Sequence, residues 1–346
     1  MQGIEFEREV IHRLPRIIAE LLDDPGAPQV VSREAPDRGI DLMIDAAGRR
    51  WLIVAKTSSS PGVVARVAEQ LAASPFEDAI PLLVVPFMTP AGVKAAAARG
   101  LGWIDLSGNA HLRGAEFYVW VQGRPNQFAA LGRPSSPFAP KSSRVARAML
   151  LDPSRWWLQK ELAEHTGLDP GRVSRIARRL DDDALLERDG SRRRPREPNL
   201  LLDAWAQDYR FDRHDIVTGH LSGSGIELAR ELQGRLRAEE VDHAFTGLPA
   251  AWAIDNFARF RLVSVYVTGD PRTAADAVGM RRNERGANVQ LIGPDDRGVF
   301  DGRGTFQGLL CVSAVQVFLD LGHLPERAAE AAEQLRSHGG LWHGRT

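Results

Sequence analysis

The stretch from Lys141 to Leu202 constrains the fold of this chain more than any other. Apolar residues recur in it at helical spacing in three successive segments. Gly167 is a good left-handed cap for the second helix, and Asp169 followed by Pro170 is a strong start for the third. A short hairpin is then expected, with its turn at 187–191. The sequence therefore predicts three helices followed by two short strands.

The third predicted helix has an apolar face and a basic face. Helices and a hairpin in this order, with arginines opposite the apolar stripe, are typical of a winged helix-turn-helix. The residues expected to reach base edges are Arg172, Ser174, Arg175 and Arg178. Phosphate contacts are expected from Arg179, Arg192, Arg193, Arg194 and Arg196, with additions from Lys141, Arg144 and Lys160. The alternative is a small helical linker domain with a solvated arginine face.

The charge distribution favours the DNA-binding interpretation. The net charge is −1, but the segment 133–200 carries 15 lysines and arginines against 10 acids, so the flanks are acidic. A basic middle indicates a nucleic-acid contact confined to one module. A single cysteine excludes a disulfide within the chain and a multi-cysteine metal site. The charged start and short apolar runs predict a cytoplasmic protein with no membrane partner.

A length of 346 residues predicts more than one domain. We expect α/β architecture in several domains: a first domain at 1–132, a linker at 133–140, the winged helix at 141–202 and a second α/β domain at 203–346. In the first domain a long helix, bent or interrupted near Pro15, precedes the order strand, strand, helix, strand, helix, strand. That order is typical of a restriction-endonuclease-like core.

Nucleases of that core hold a divalent metal with an aspartate on one strand and an acid two residues before a lysine on the next. Asp41 and Lys56 match two of these positions, but the third is Val54, which cannot bind a metal. Glu9 and Glu20 on the first helix are weak candidates for a further ligand. We expect Asp41 and Lys56 to form a structural ion pair in a degenerate domain, with no metal. A metal-dependent nuclease is the alternative.

The last domain has the element order of a nucleotidyltransferase-like fold. Thr246 and Gly247 end a predicted strand before a helix, but the next strand has no carboxylate until Asp270. Asp295 and Asp296 are interpreted as turn residues. We therefore expect no enzymatic activity and no cofactor. A regulator that senses a nucleotide without chemistry remains an alternative.

Three stretches carry a family resemblance: GLGWIDLSGNAHLR at 100–113, SPFAPKSSRVARAML at 136–150, and the segment 285–321, which contains RGANVQLIGPDDRG. Together they resemble the AbiEi-type antitoxins of toxin–antitoxin systems in their three-domain form. The resemblance implies a regulator that binds double-stranded DNA and represses its own operon. A nucleotidyltransferase toxin would be encoded nearby, without direct binding to the antitoxin. A stand-alone regulator and a dimer are both compatible with the sequence.

Overall fold

The computed structural model describes residues 3–24, 29–35, 40–74, 76, 78–128, 136–256, 259–282, 285–325, 327–337 and 341. The chain forms two compact units. Unit 1 comprises Met1–Ser135, Arg178–Glu187 and Asn199–Gln207, and unit 2 comprises Ser136–Ala177, Arg188–Pro198 and Asp208–Thr346. The predicted linker at 133–140 lies partly outside the described residues. Among the residues described, no helix has both the length and the apolar character needed to cross a membrane.

The described residues of unit 1 form a seven-stranded sheet whose strands lie in chain order. The central strands β3, β4 and β5 are parallel because a helix crosses over between each pair, and the outer strands are antiparallel. The elements are α1 Gly3–Leu21, β1 Gln29–Ala35, β2 Ile40–Ala46, β3 Arg49–Ala55, α2 Pro61–Ala72, β4 Ala79–Val85, α3 Pro90–Ala97, β5 Gly102–Asp105, β6 Ala110–Arg113 and β7 Tyr118–Val121.

Helix α1 is continuous through Pro15, so the predicted interruption there is wrong. A proline inside a helix costs about 3 kcal/mol through a lost hydrogen bond and a clash. The apolar face of α1 offsets that cost, since each fully buried side chain contributes about 1.5–3 kcal/mol. That face comprises Phe6, Val10, Leu14 and Ile18, which pack with Leu42 and Trp51 on one side of the sheet.

The middle module (residues 141–202) contains the three predicted helices, α4 Ser143–Leu151, α5 Gln159–Thr166 and α6 Pro170–Asp182, and the predicted hairpin of β9 Leu186–Asp189 and β10 Arg192–Pro195. The short strand β8 Trp157–Leu158 and the helix α7 Pro198–Asp208, which begins in this module, are not predicted. Gly167 ends α5 in the left-handed conformation, with φ of 65°. The Asp169 carboxylate accepts a hydrogen bond from the backbone N–H of Arg172 at 2.8 Å and so caps α6. The three strands have the order β8-β10-β9.

The C-terminal part of unit 2 is built on a second seven-stranded sheet, of order β14-β11-β15-β13-β12-β17-β16 among its described residues. The sequence predicts helices over 249–257 and 326–337 in this part, and Phe257 and Glu326 lie outside the described residues. The elements are β11 Asp215–His220, α8 Gly225–Ala238, β12 His243–Thr246, α9 Gly247–Asp255, β13 Val263–Val267, α10 Pro271–Ala277, β14 Arg281–Arg282, β15 Val289–Gly293, β16 Gly304–Phe306, β17 Leu309–Cys311, α11 Ala314–Leu321 and α12 Ala328–Ser337.

Candidate nucleic-acid interface

Helix α6 presents arginines on the face opposite its apolar stripe. Arg175 and Arg178 are exposed, while Arg172 and Ser174 are half-buried. Arg172 donates from Nη2 to the Ser142 hydroxyl at 3.1 Å, and its side chain is therefore held against the protein. The buried stripe comprises Val173, Ile176, Ala177 and Leu180. A rigid helix with cations on its outer face can place them against base edges or phosphates.

The last arginine of α6 is exposed but partnered. Arg179 Nε lies 3.4 Å from the Asp183 carboxylate, one turn further along the chain. The Asp183 side chain is only 17% exposed, so moving Arg179 to a phosphate would take a partner from a largely buried carboxylate. A phosphate contact by Arg179 stays a prediction.

Strand β10 and Arg196, which follows it, supply a second group of arginines. Arg192 is exposed, and Arg193, Arg194 and Arg196 are half-buried. The Arg194 guanidinium lies over the Trp156 ring, 4.4 Å from its centroid. Such a cation–π contact is worth about 0.5–2 kcal/mol and fixes the position of the charge. The strand thus carries several cations, and the Trp156 ring holds the Arg194 side chain in place.

The two adjacent tryptophans before α5 differ in burial and in contacts. Trp157 is 3% exposed and belongs to the core, whereas Trp156 is half-buried and supports Arg194. Strand pairing sets Trp157 opposite Arg193 in β10. Only Trp157 lies in β8, and Trp156 immediately precedes that strand.

The remaining candidate cations differ in how they are held. Lys141 is exposed, and Lys160 is exposed with its Nζ 3.8 Å from Glu164. Arg144 donates from Nε and Nη2 to the two oxygens of Asp296, both at 2.7 Å, and from Nη1 to the backbone carbonyl of Thr166 at 3.2 Å. The hydrogen bond to Asp296 raises the pKa of Arg144. Its role as a phosphate contact stays a prediction, but its guanidinium already joins two parts of unit 2.

The two nuclease-type positions of unit 1 form an ion pair. Lys56 Nζ lies 3.5 Å from Asp41 Oδ2, and each side chain is about a third exposed. The same Asp41 oxygen accepts the backbone N–H of Ala55 at 2.8 Å, which fixes the carboxylate against β3. Val54 is fully buried. The pair therefore holds together the ends of β2 and β3, with a hydrocarbon side chain where an acidic ligand would stand.

The carboxylates of α1 do not complete such a site. Glu9 pairs with Arg13 at 3.2 Å and Glu20 with Arg16 at 2.8 Å. Helix α1 packs on the face of the sheet that carries Leu42, and alternation along the strand puts Asp41 on the other face. Within the described ranges, no group of three His, Cys, Asp or Glu residues could hold a metal ion.

Unit 2 contains a buried polar cluster that the sequence analysis does not predict. Asp320 is fully buried and accepts hydrogen bonds from the Thr246 hydroxyl at 2.5 Å, the Tyr209 hydroxyl at 2.5 Å and Gln316 Nε2 at 2.7 Å. Burial raises the pKa of the Asp320 carboxyl. Gln316 and Asp320 stand four residues apart within the otherwise apolar sequence AVQVFLDL, and that spacing is the available sequence signal.

The turn at Thr246 and Gly247, which follows β12, belongs to this cluster. Thr246 is directed to Asp320, and a Cβ at Gly247 would lie 2.5 Å from Leu324 Cδ1. Asp270 caps α10 by accepting the backbone N–H of Arg272 at 2.9 Å. Asp296 accepts the backbone N–H of Gly298 at 2.9 Å as a turn residue. The carboxylates that follow β13 and β15 are thus engaged within the protein.

Comparison with known proteins gives little. No protein-family model matches the chain, and no curated protein matches it. One similar solved structure is a repair endonuclease from Pyrococcus abyssi, with 21% identity over 31% of this chain. The chain spans 47% of the length of that structure, at a TM-score of 0.24. A likeness this weak supports no conclusion about fold or activity.

Proposed function

We propose that this chain is a transcriptional regulator that binds double-stranded DNA through the middle module, a winged helix-turn-helix, and represses its own operon. One observation carries the proposal: the exposed Arg175 of α6 and the arginine-rich strand β10 both belong to unit 2. Arginine reads guanine bidentately and binds phosphates, so helix and strand supply the two kinds of contact that specific DNA binding needs. The flanking α/β regions, which we interpret as degenerate restriction-endonuclease-like and nucleotidyltransferase-like domains, then serve as scaffold.

The test begins with selection of duplexes from a random library by the full chain, followed by fluorescence anisotropy on the selected site. Arg175→Ala is expected to weaken specific binding by about 1–3 kcal/mol and to relax the preference at one base pair. The matched control is Arg230→Ala, which removes an exposed arginine of α8 that pairs with Glu227 at 3.5 Å. No selected sequence, or full preference retained in Arg175→Ala, would remove the helix from the readout.

The strand contacts are tested by the salt dependence of binding. Arg192→Ala is expected to weaken binding to all sequences and to reduce the slope of log K against log salt by about 0.9, the value for one phosphate contact. Replacing Arg192, Arg193 and Arg194 together should reduce it further. Circular dichroism of each variant checks that Trp156 remains packed after Arg194 is removed. An unchanged slope would contradict the role of β10.

Repression is tested with a reporter placed behind the DNA that precedes this gene. The wild-type chain is expected to lower expression and Arg175→Ala to restore it. If a nucleotidyltransferase toxin is encoded beside it, we expect neutralisation in cells without co-purification of the two proteins. Cleavage of the selected duplex in Mg²⁺ or Mn²⁺, lost in Lys56→Ala, would instead favour the nuclease alternative.

A further inference from the structure

The last two strands of the unit 1 sheet, β6 and β7, expose one of their two faces. Helices α2 and α3 connect β3 to β4 and β4 to β5, whereas short turns connect β5, β6 and β7. Ala110, Leu112 and Val119 pack on the side of the sheet that α1 covers. Side chains alternate between the faces of a strand, so Tyr118 and Trp120 of β7 lie on the opposite side. These two strands thus add a sheet surface that no crossover helix accompanies.

This surface carries much of the large apolar side-chain area that the protein exposes. Among the described residues, three large hydrophobic side chains are exposed, namely Tyr118 by 64%, Trp120 by 44% and Phe306 by 37%. Two of the three share one face of β7, which is the last strand of its sheet. Single exposed apolar residues are ordinary, but large aromatic neighbours on one surface mark an interaction site.

The two aromatic rings are held by a histidine on the neighbouring strand. His111 of β6 pairs with Trp120, and their ring centroids are 4.6 Å apart in an edge-to-face contact. The His111 ring also contacts the Tyr118 ring edge-to-face, at 5.6 Å. Aromatic pairs prefer this geometry, so the rings keep their orientation before any partner arrives. A surface that is already ordered loses less side-chain freedom on binding.

Cations lie near both ends of the aromatic pair. Arg113 of β6 is exposed beside Tyr118, and Arg124 is exposed just beyond the end of β7. The chain from β5 to Arg124 contains two acids. Asp105 is fully buried, and Glu116 pairs at 2.8 Å with Arg49 of β3. The surface therefore combines aromatic rings with positive charge. We call it the aromatic face, and its members are His111, Arg113, Tyr118 and Trp120.

The chemistry of the aromatic face fits a chain of unpaired nucleotides. Flat bases stack on aromatic side chains, and arginines contact the phosphates between them. In a duplex the faces of the bases are covered by their neighbours, whereas in a single strand they are free to lie on a protein ring. A symmetric dimer through this face would instead bring like charges together, because the same arginines would come from both copies.

We propose that the aromatic face binds single-stranded DNA. Tyr118 and Trp120 each stack on one base, and Arg113 contacts a phosphate. The choice of DNA over RNA rests on the proposed DNA-binding function, whereas the stacking of unpaired bases does not depend on it. This site is distinct from the arginines of α6 and β10, which belong to the middle module.

Fluorescence anisotropy with the full chain and a labelled thymidine oligonucleotide of about 12 nucleotides tests the site. Tyr118→Ala and Trp120→Leu, which keeps an apolar side chain, should each weaken binding at least about fivefold through loss of one base–aromatic contact. The matched control is Phe306→Ala, which removes the exposed aromatic residue of unit 2 and should leave the affinity unchanged. Arg113→Ala should reduce the slope of log K against log salt by about 0.7, the value for one phosphate of a single strand. Thermal unfolding checks that each variant is folded.

A uridine RNA of the same length is a separate arm, and we expect it to bind more weakly than the DNA. No binding of the oligonucleotide, or unchanged affinity in both Tyr118→Ala and Trp120→Leu, overturns the aromatic face as a binding site. RNA binding as tight as DNA binding overturns the assignment to DNA. Self-association that is lost in Trp120→Leu, without oligonucleotide binding, would make the face a dimer interface and overturn the proposal.

The proposed function and this inference can fail separately. Tyr118→Ala and Trp120→Leu should leave binding to the selected duplex unchanged, and Arg175→Ala should leave binding to the single strand unchanged. If no duplex is selected, the proposed function fails while the oligonucleotide titration still decides whether the aromatic face binds unpaired bases. Loss of single-strand binding in Arg175→Ala, with no loss in the two aromatic variants, would assign that binding to the middle module and overturn this inference.

Discussion

Arg144 is a candidate phosphate contact that also has a structural partner, so its two roles can be tested against each other. Its side chain is 18% exposed and that of Asp296 is 8% exposed, so Arg144→Ala leaves a carboxylate nearly out of water without its main partner. Removal of one partner from a buried pair costs about 3–5 kcal/mol. The residual exposure of Arg144 lowers our expectation to about 2–4 kcal/mol. For a folding unit of this size, that corresponds to a fall in Tm of about 5–15 °C.

Urea unfolding followed by intrinsic fluorescence measures this cost. Arg178→Ala, which removes an exposed arginine of α6, is the matched control and should change stability by no more than about 0.5 kcal/mol. A double-mutant cycle of Arg144→Ala with Asp296→Asn should give a coupling energy of about 1–3 kcal/mol. Unchanged stability in Arg144→Ala, together with weaker DNA binding, would refute the structural role and make Arg144 a phosphate contact.

Two further substitutions test the buried cluster and the ion pair. Asp320→Ala should cost about 2–5 kcal/mol because Thr246, Tyr209 and Gln316 lose a shared buried acceptor, whereas Asp320→Asn should cost less. Since burial raises the pKa of Asp320 above 3.8, its protonated form adds stability at low pH that is lost as the pH rises through the raised pKa. Urea unfolding at several pH values should show that dependence in wild type but not in Asp320→Asn; identical pH profiles would contradict it. Lys56→Met should change stability by less than about 1 kcal/mol, because its ion pair is a third exposed, and a larger loss in urea unfolding would show a stronger interaction.

The elements with strong local signals are predicted well by the sequence. Helix α5 ends at Thr166 with Gly167 as its cap, and α6 begins at Pro170, as the capping residues predict. Helix α10 is missed although Asp270 and Pro271 form a good start, because its alanines give little periodicity. Strand β11, DIVTGH, is missed because polar residues stand at both its ends. Its position in the sheet comes from pairing with β15, far along the chain.

Among the candidate sites, too, some can be predicted from local sequence and others depend on contacts between distant segments. The arginine face of α6 can be recognised locally because one helix carries all of it. The cluster around Asp320 cannot, because its partners Tyr209, Thr246 and Tyr266 come from three separate segments. A cavity of about 600 Å³ in unit 2 cannot be recognised from the sequence either, because its lining residues come from segments between 148 and 341. Proximity between distant segments is a property of the completed fold.

The division of the chain into units affects when unit 1 can be completed during synthesis. Unit 1 is completed by two short segments, Arg178–Glu187 and Asn199–Gln207, which lie well beyond its main part. The first of these segments contains Asp183, whose backbone carbonyl accepts a hydrogen bond from the Ser60 hydroxyl at 2.6 Å. A ribosome adding about 5–20 residues per second needs roughly 4–14 s to pass from Ser135 to Gln207. During those seconds the seven strands of the N-terminal sheet, at 29–121, have been made, but the two later segments of unit 1 have not. We expect slow translation through the arginine-rich helix to prolong this incomplete state.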